Sequence, residues 1–264
     1  RAIRRGRASP MRLLIGSWLH GYDDFARSCA GEVDFGPEAS IDFNALRLLW
    51  FEATLKGADN GILSGPEVHY FALGGGSGLR DSDGRLQHGG SWRESGSWPP
   101  SSAVVVTLHL HHDGGLRPEA PAAGVPPRSF VFDPVDPVPT VGGGVQNGMF
   151  PELIQGGAYD QRGREGLWVC ADSEPLALRQ DVLVFETGPL EADLEVTGPV
   201  SIHLFVSSSA RDTDFTAKLI DVYPNSPEWP EGFAMNLTDS VARCRYREGY
   251  DREAWLEPGE IVEI

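Results

Sequence analysis

Apolar positions recur at helical spacing in the first part of the chain and at strand spacing later. The run Leu13-Leu14-Ile15 reads as the end of a buried strand. It opens into a loop, Gly16-Ser17-Trp18-Leu19-His20-Gly21, with a histidine at its mouth. From Ile41 to Lys56, apolar residues Leu46, Leu49, Trp50 and Ala53 fall on one helical face. Asp42 lies in the first turn, Lys56 in the last, and Gly57 follows as a stop, so the segment predicts an amphipathic helix packed on a sheet. Val68 to Leu73 predicts a strand. Gly74 to Gly90, rich in glycine, serine and charge, predicts a loop. Trp92, Trp98, Pro99 and Pro100 then mark a domain boundary near Pro100.

Beyond Pro100 the pattern turns to strands and turns. Val104 to Leu110 is a β-rich run. Arg117 to Pro139 is dense in proline and leaves room for regular structure only at Ser129 to Phe132. After the turn Gly142-Gly143-Gly144, short strands are expected at Val182 to Phe185, Leu194 to Val206, Phe215 to Val222 and Val241 to Arg247. Val200, Ile202, Leu204 and Val206 alternate and share one face, which predicts an interior position. Closely spaced strands without intervening helices argue for an antiparallel sandwich. The fold expectation is therefore the end of an α/β domain over residues 1–100, followed by most of a β-sandwich over 101–264.

Composition narrows the function classes. The 264 residues suffice for one large domain or two ordinary ones, and the balance is that of a soluble globular protein. A formal net charge of −16 argues against nucleic acid or an anionic membrane as partner, since both need a basic footprint. No apolar stretch approaches the roughly 20 residues that span a bilayer. Cys29, Cys170 and Cys244 are far apart and form no Cys-x-x-Cys pair, so neither a zinc site nor a disulfide framework is indicated. Arg1, Arg4, Arg5, Arg7 and Arg12 imitate the start of a targeting peptide, but the apolar run after them is too short and lacks a cleavage site. The expected compartment is the cytoplasm. The chain starts without methionine and ends in an alternating pattern, Gly259 to Ile264, which suggests a piece cut from a longer protein.

His20 is the strongest candidate for chemistry, because a serine hydrolase places its general base in such a loop. By itself, a histidine after an apolar run is more often structural. No Gly-x-Ser-x-Gly elbow exists in the sequence, and Gly74-Gly75-Gly76-Ser77-Gly78 has the wrong spacing. Asp23 and Asp24 follow closely enough to invite a role as the partner acid, which would take a tight turn. His109, His111 and His112 resemble a metal cluster, yet His109 and His111 share a strand face while His112 points away, and no further ligand is near. Asp212 and Asp214 lack the rest of a calcium loop and read as a turn entering a strand. Arg243, Arg245 and Arg247 alternate on one face, which reads as a solvated or salt-bridged sheet surface rather than an anion site. Asn236-Leu237-Thr238 matches a glycosylation acceptor, as chance triplets often do.

Several strings together resemble one enzyme group. Ile15-Gly16-Ser17-Trp18-Leu19-His20-Gly21 resembles the histidine loop of the cocaine esterase, X-prolyl dipeptidyl aminopeptidase and α-amino-acid ester hydrolase family. Trp50 to Gly61, His88 to Glu94 with Trp98-Pro99, and Phe132 to Pro139 resemble successive segments of the same family. Asp160-Gln161-Arg162, Asp181-Val182-Leu183 and above all Ser207 to Leu219 continue the match in order. Ser17 stands where the family usually has proline, and Gly163 to Leu178 looks like an insertion.

The resemblance implies an α/β-hydrolase domain with a helical lid, followed by an all-β jelly-roll (galactose-binding-like) sandwich. It implies His20 as the general base, with the nucleophilic serine and the triad aspartate upstream of these residues. It implies a small-molecule ester or amide as substrate, cleaved through an acyl-enzyme, and no cofactor or metal. The alternative is a carbohydrate- or ligand-binding jelly-roll module without catalysis. A third role, a sandwich that buttresses a catalytic domain, is compatible with the first. Carbohydrate platforms need exposed aromatics, and Trp18, Trp50, Trp92 and Trp98 all lie outside the expected sandwich.

Overall fold

The computed structural model describes residues 10–21, 24–144, 150, 155–167 and 170–264. Its contacts group the chain into two units, one up to Gly198 and one from Pro199 to Ile264.

In the first unit, β1 (Leu13–Ile15) leads through the histidine loop to a small hairpin of β2 (Cys29–Ala30) and β3 (Val33–Asp34). A 14-residue helix, α1 (Phe43–Lys56), follows. Then come β4 (Val68–Leu73), β5 (Leu86–Gln87) and β6 (Gly90–Ser95), and a short pair, β7 (His109–Leu110) and β8 (Leu116–Arg117). Strands β1 and β4 run parallel, with Leu13 beside Val68 and Ile15 beside Tyr70. A parallel pair needs a crossover, and α1 supplies it. β6 returns antiparallel along all of β4, from Val68 opposite Ser95 to Leu73 opposite Gly90.

The ends of α1 follow from its sequence. The Asp42 carboxylate accepts the Ala45 N–H at 2.9 Å, capping a donor that has no partner inside the helix. Gly57 takes a left-handed φ of 71°, and its N–H reaches back to the Ala53 and Glu52 carbonyls. Ala53 is the buried residue of the helix, while Leu49 is 41% exposed, so the inner face is narrower than the periodicity predicts.

Two apolar cores stabilise this unit. Val33, Val68 and Leu86 are fully buried, with Phe35 and Phe71 nearly so. Val141, Leu167 and Leu176 form a second cluster, flanked by Tyr159 and Cys170. The residues expected as an insertion, Gly163 to Leu178, thus supply two of its three central members. Residues beyond Pro100 are tied back to the β2–β3 hairpin. Gly31 bridges Ala158, and the Glu32 carboxylate takes Arg164 at 2.6 Å and the Asp160 N–H at 3.1 Å. A side chain at Gly31 would strike the Ala158 carbonyl and the Tyr159 ring, so the two backbones meet only because that position is glycine.

A further tie joins the proline-rich stretch to residues 176–181. Arg179 holds Asp181 through two hydrogen bonds of 2.8 and 2.9 Å and reaches the Asp136 carbonyl at 2.7 Å. The Arg179 guanidinium holds the Asp181 carboxyl below the usual carboxylate range. A lowered folded-state pKa contributes stability above the ordinary value, about 3.9 for Asp, and loses it as pH falls through the folded value. Asp181→Asn is therefore expected to lower stability at pH 7 by about 1–3 kcal/mol, with the gap to the parent closing as pH falls from about 5 through the lowered folded value. Thermal melts across that range check it, and a gap of constant size would contradict it.

In the second unit, β9 (Phe205–Val206) pairs with β12 (Val262–Glu263), and β10 (Asp214–Tyr223) pairs antiparallel with β11 (Phe233–Arg243). The β10–β11 ladder runs from Asp214 opposite Arg243 to Tyr223 opposite Phe233, with an irregularity between Leu219 and Ile220. Trp229, Phe233, Met235, Cys244 and Leu256 are its buried apolar side chains.

Several expected strands are absent among the described residues. Val104 to Leu110 is strand only at β7, and Val105 is 97% exposed. Leu194 to Val206 is strand only at β9, with Val200 and Ile202 exposed rather than interior; Leu204 and Val206 are half-buried. Val182 to Phe185 and Ser129 to Phe132 form no strand. Alternation marks which side chains share a face, but a strand also needs a partner for its backbone. Outside β7, β9 and the Leu204–Ile264 backbone bonds, these segments have no paired neighbour among the described residues. The last expected strand is displaced: β11 ends at Arg243, and Cys244–Tyr246 is a short 3₁₀ turn. Gly74 to Gly90 is not all loop, because it contains β5 with Leu86 fully buried.

Candidate functional site

The histidine loop leaves β1 and is fixed by aromatic contacts on both sides of His20. Trp18 folds back over Gly16, where any side chain would collide with the indole. Its ring packs against Phe25 at 4.9 Å and lies 5.9 Å from Trp92. Phe25 in turn stacks on Phe43 of α1 at 4.2 Å, and its carbonyl accepts the Ile41 N–H at 2.7 Å. Beneath the loop lies the short turn Pro37–Ala39, which begins at Gly36 with a φ of 84° and has proline in its first turn. The indole N–H of Trp18 donates to the Ala39 carbonyl at 3.1 Å. That of Trp92 donates to the Glu38 carbonyl at 2.7 Å.

His20 itself is exposed at a bend. Of the two nearby acids, Asp23 lies outside the described residues. The Asp24 carboxylate sits against Gly21, where a side chain would strike it, and pairs with Arg27 at 3.7 Å. An open apolar groove lined by Leu14, Ile41, Leu46, Leu49, His69 and Trp92 runs between α1 and the sheet.

The remaining candidates have local roles. His111 and His112 lie past the end of β7, and their rings bond separately to the Glu119 and Pro126 carbonyls, at 2.9 and 3.1 Å. Among the described residues no group of acids, histidines and cysteines is arranged to hold a metal. Asp214 chelates Arg243 at 2.8 Å, and that guanidinium lowers the Asp214 pKa. The Asp212 carboxylate accepts the Arg245 N–H at 3.1 Å. Arg247 is turned onto the Cys244 and Ala254 carbonyls. Arg243 and Arg245 are thus salt-bridged, but only Arg243 is on the strand; Arg245 lies in the following 3₁₀ turn and Arg247 beyond it. Asn236 is 4% exposed on β11, a poor position for a glycan in the folded protein.

The sequence reading missed the two carbonyls of Glu38 and Ala39 and the clamp on them. In the sequence Trp92 marks a boundary and belongs to the His88–Glu94 family match, with no sign of a hydrogen-bonding role. The available signal was a tryptophan two residues ahead of the histidine, with a second one on the returning strand.

Residues 60–264 match the family described as the X-Pro dipeptidyl-peptidase C-terminal non-catalytic domain. Over 264 aligned positions the chain is 30% identical to cocaine esterase of Rhodococcus sp. (strain MB1 Bresler), covering 96% of this chain and 39% of that protein. Among solved structures it is similar to an aminopeptidase from the marine sediment archaeon Thaumarchaeota archaeon, with 28% identity and a TM-score of 0.68. It is likewise similar to an α-amino acid ester hydrolase, with 26% identity and a TM-score of 0.69. Each structural match covers 96% of this chain and 38% of the other. The chain therefore spans about two fifths of the length of the relatives it matches.

These matches define a class: a β-rich region that accompanies hydrolytic enzymes. The chain belongs to the X-Pro dipeptidyl-peptidase C-terminal non-catalytic domain family, within the group of cocaine esterase and α-amino acid ester hydrolase. His20 lies ahead of the residues matched to the non-catalytic family.

Proposed function

We propose that this chain carries the histidine base of a serine hydrolase together with the accessory β region that follows it. The observation that carries the proposal is the position of His20. It sits at the mouth of a strand loop, ahead of the non-catalytic match, in a chain whose likeness to ester hydrolases covers 96% of its length. The parallel β1–α1–β4 unit supports reading the first part as the end of an α/β-hydrolase domain. The β10–β11 ladder and the β9–β12 pair support reading the second unit as part of a jelly roll.

In this mechanism His20 takes the proton from a serine hydroxyl as the serine attacks the substrate carbonyl. It then returns that proton to the departing alcohol or amine, leaving an acyl-enzyme that water hydrolyses. The serine and the aspartate that orients the imidazole are assigned to the part of the protein outside these residues. The substrate is a small-molecule ester or amide, of acyl or X-Pro dipeptidyl type. A carbohydrate-binding role is the second reading: in the second unit Trp229 is buried, but Tyr250 and Trp255 are exposed, the latter with Arg211 and Arg245 over its ring at 5.3 and 5.5 Å.

A fluorophosphonate probe tests this reading on the complete protein. It should label one serine, stoichiometrically, at a position outside the 264 residues. A protein that hydrolyses no activated ester and takes up no probe would refute it.

A further inference from the structure

Two indole N–H groups grip neighbouring carbonyls of one turn, and one of them belongs to the loop that carries His20. Trp92 is anchored on β6, which is paired along its whole length with β4, so its ring is a fixed point. It also meets Phe71 edge-on at 5.4 Å. From there the indole holds the Glu38 carbonyl at 2.7 Å, and Trp18 holds the next carbonyl, Ala39, at 3.1 Å. Ala39 is 1% exposed, so its carbonyl has little access to water as a substitute partner. Trp18 stands two residues before His20, and two backbone steps reach at most about 7 Å. Fixing Trp18 therefore limits where the His20 backbone can lie.

We infer that Trp18 and Trp92 are positioning residues for His20, acting as a paired clamp that fixes the histidine loop on the Pro37–Ala39 turn. The inference rests on the reading of His20 as the general base. A base must be held within about 0.5 Å and 10–20° of its productive geometry, and a displacement near 1 Å costs on the order of 100-fold in rate. The clamp holds main-chain carbonyls of the turn, so its loss is expected to slow proton transfer more than it weakens substrate binding.

The test uses the complete protein with a nitrophenyl acetate and a fluorophosphonate probe. Trp92→Phe and Trp18→Phe each keep an aromatic ring and delete the N–H donor. Each is expected to lower kcat about 10- to 100-fold and the rate of serine phosphonylation in parallel, with KM within about 2-fold. In a His20→Ala background the same changes should cost nothing further, because there is no base left to misplace. Gly16→Ala provides a second route, since it displaces the Trp18 ring without removing either donor, and it should reproduce the loss in kcat. Unchanged kcat in both tryptophan variants overturns the inference. So does an equal loss with and without His20, which would mark the indoles as structural only. Normal turnover in His20→Ala alone is a separate result; it overturns the assignment of the base, and the inference with it.

Discussion

Replacing His20 by alanine in the complete protein is expected to cut turnover by about 10⁴ to 10⁶, with the residual rate coming from substrate binding and oxyanion stabilisation. The size of the loss follows from what the imidazole does. A serine hydroxyl is a poor nucleophile unless a base accepts its proton during attack, and the leaving group departs poorly unless that proton is returned. KM should change far less than kcat, because an exposed loop histidine contributes little to ground-state binding. Steady-state kinetics on an activated ester measure both. Turnover within tenfold of the parent would remove His20 from the mechanism and turn attention to His69, which lines the apolar groove and pairs with Glu94 at 3.6 Å.

The second large effect is on stability. Met235 is fully buried on β11, and the apolar interior of its unit consists of it, Trp229, Phe233, Cys244 and Leu256. Truncating a buried methionine to alanine removes transfer energy and leaves a cavity, for about 2–5 kcal/mol. A unit this small has little to spare, since whole domains are stable by only about 5–15 kcal/mol. Met235→Ala should therefore lower the melting temperature of the second unit by more than about 10 °C, as each kcal/mol shifts a domain of this size by roughly 4–8 °C. Met235→Leu, which conserves volume, should cost less than about 1.5 kcal/mol. Calorimetry of the two variants separates cavity formation from loss of the thioether. Equal melting temperatures for parent and alanine variant would show that the interior around Met235 contributes little.

Local signals were the most legible in the sequence. The helix at Phe43–Lys56 carried its own stop at Gly57 and an acid at its start, although Asp42 proves to be the cap rather than a first-turn residue. β1 and β4 appeared where apolar runs ended in glycine. The first half of β11 was missed although Phe233, Met235 and Leu237 alternate with Ala234, Asn236 and Thr238 there, and Phe233 and Met235 face the interior; only Asp239 breaks the alternation before Val241. β5 was missed because two residues between glycines give no periodicity to read. The opposite error occurred at Val104 to Leu110 and Leu194 to Val206, where high strand propensity is not matched by a paired backbone. At the site, residue type and order singled out His20. The hydrogen bonds from Trp18 and Trp92 were invisible, because their acceptors are main-chain carbonyls that any residue would supply.

The close approach of Gly31 and Ala158 has a consequence for how the chain tolerates cutting. Residues 117–127, with four prolines among them, are exposed throughout, and apart from the His111–Glu119 and His112–Pro126 contacts and the β7–β8 pair they carry none of the ties that hold the later segment to the earlier one. Those ties lie elsewhere: the backbone bridge at Gly31, the Glu32–Arg164 pair, and Tyr70 with Glu195. Covalent continuity through that stretch is therefore nearly irrelevant to keeping the pieces together. A protease nick there, or new chain ends placed there by permutation, leaves two segments that already recognise each other through a junction where only glycine fits.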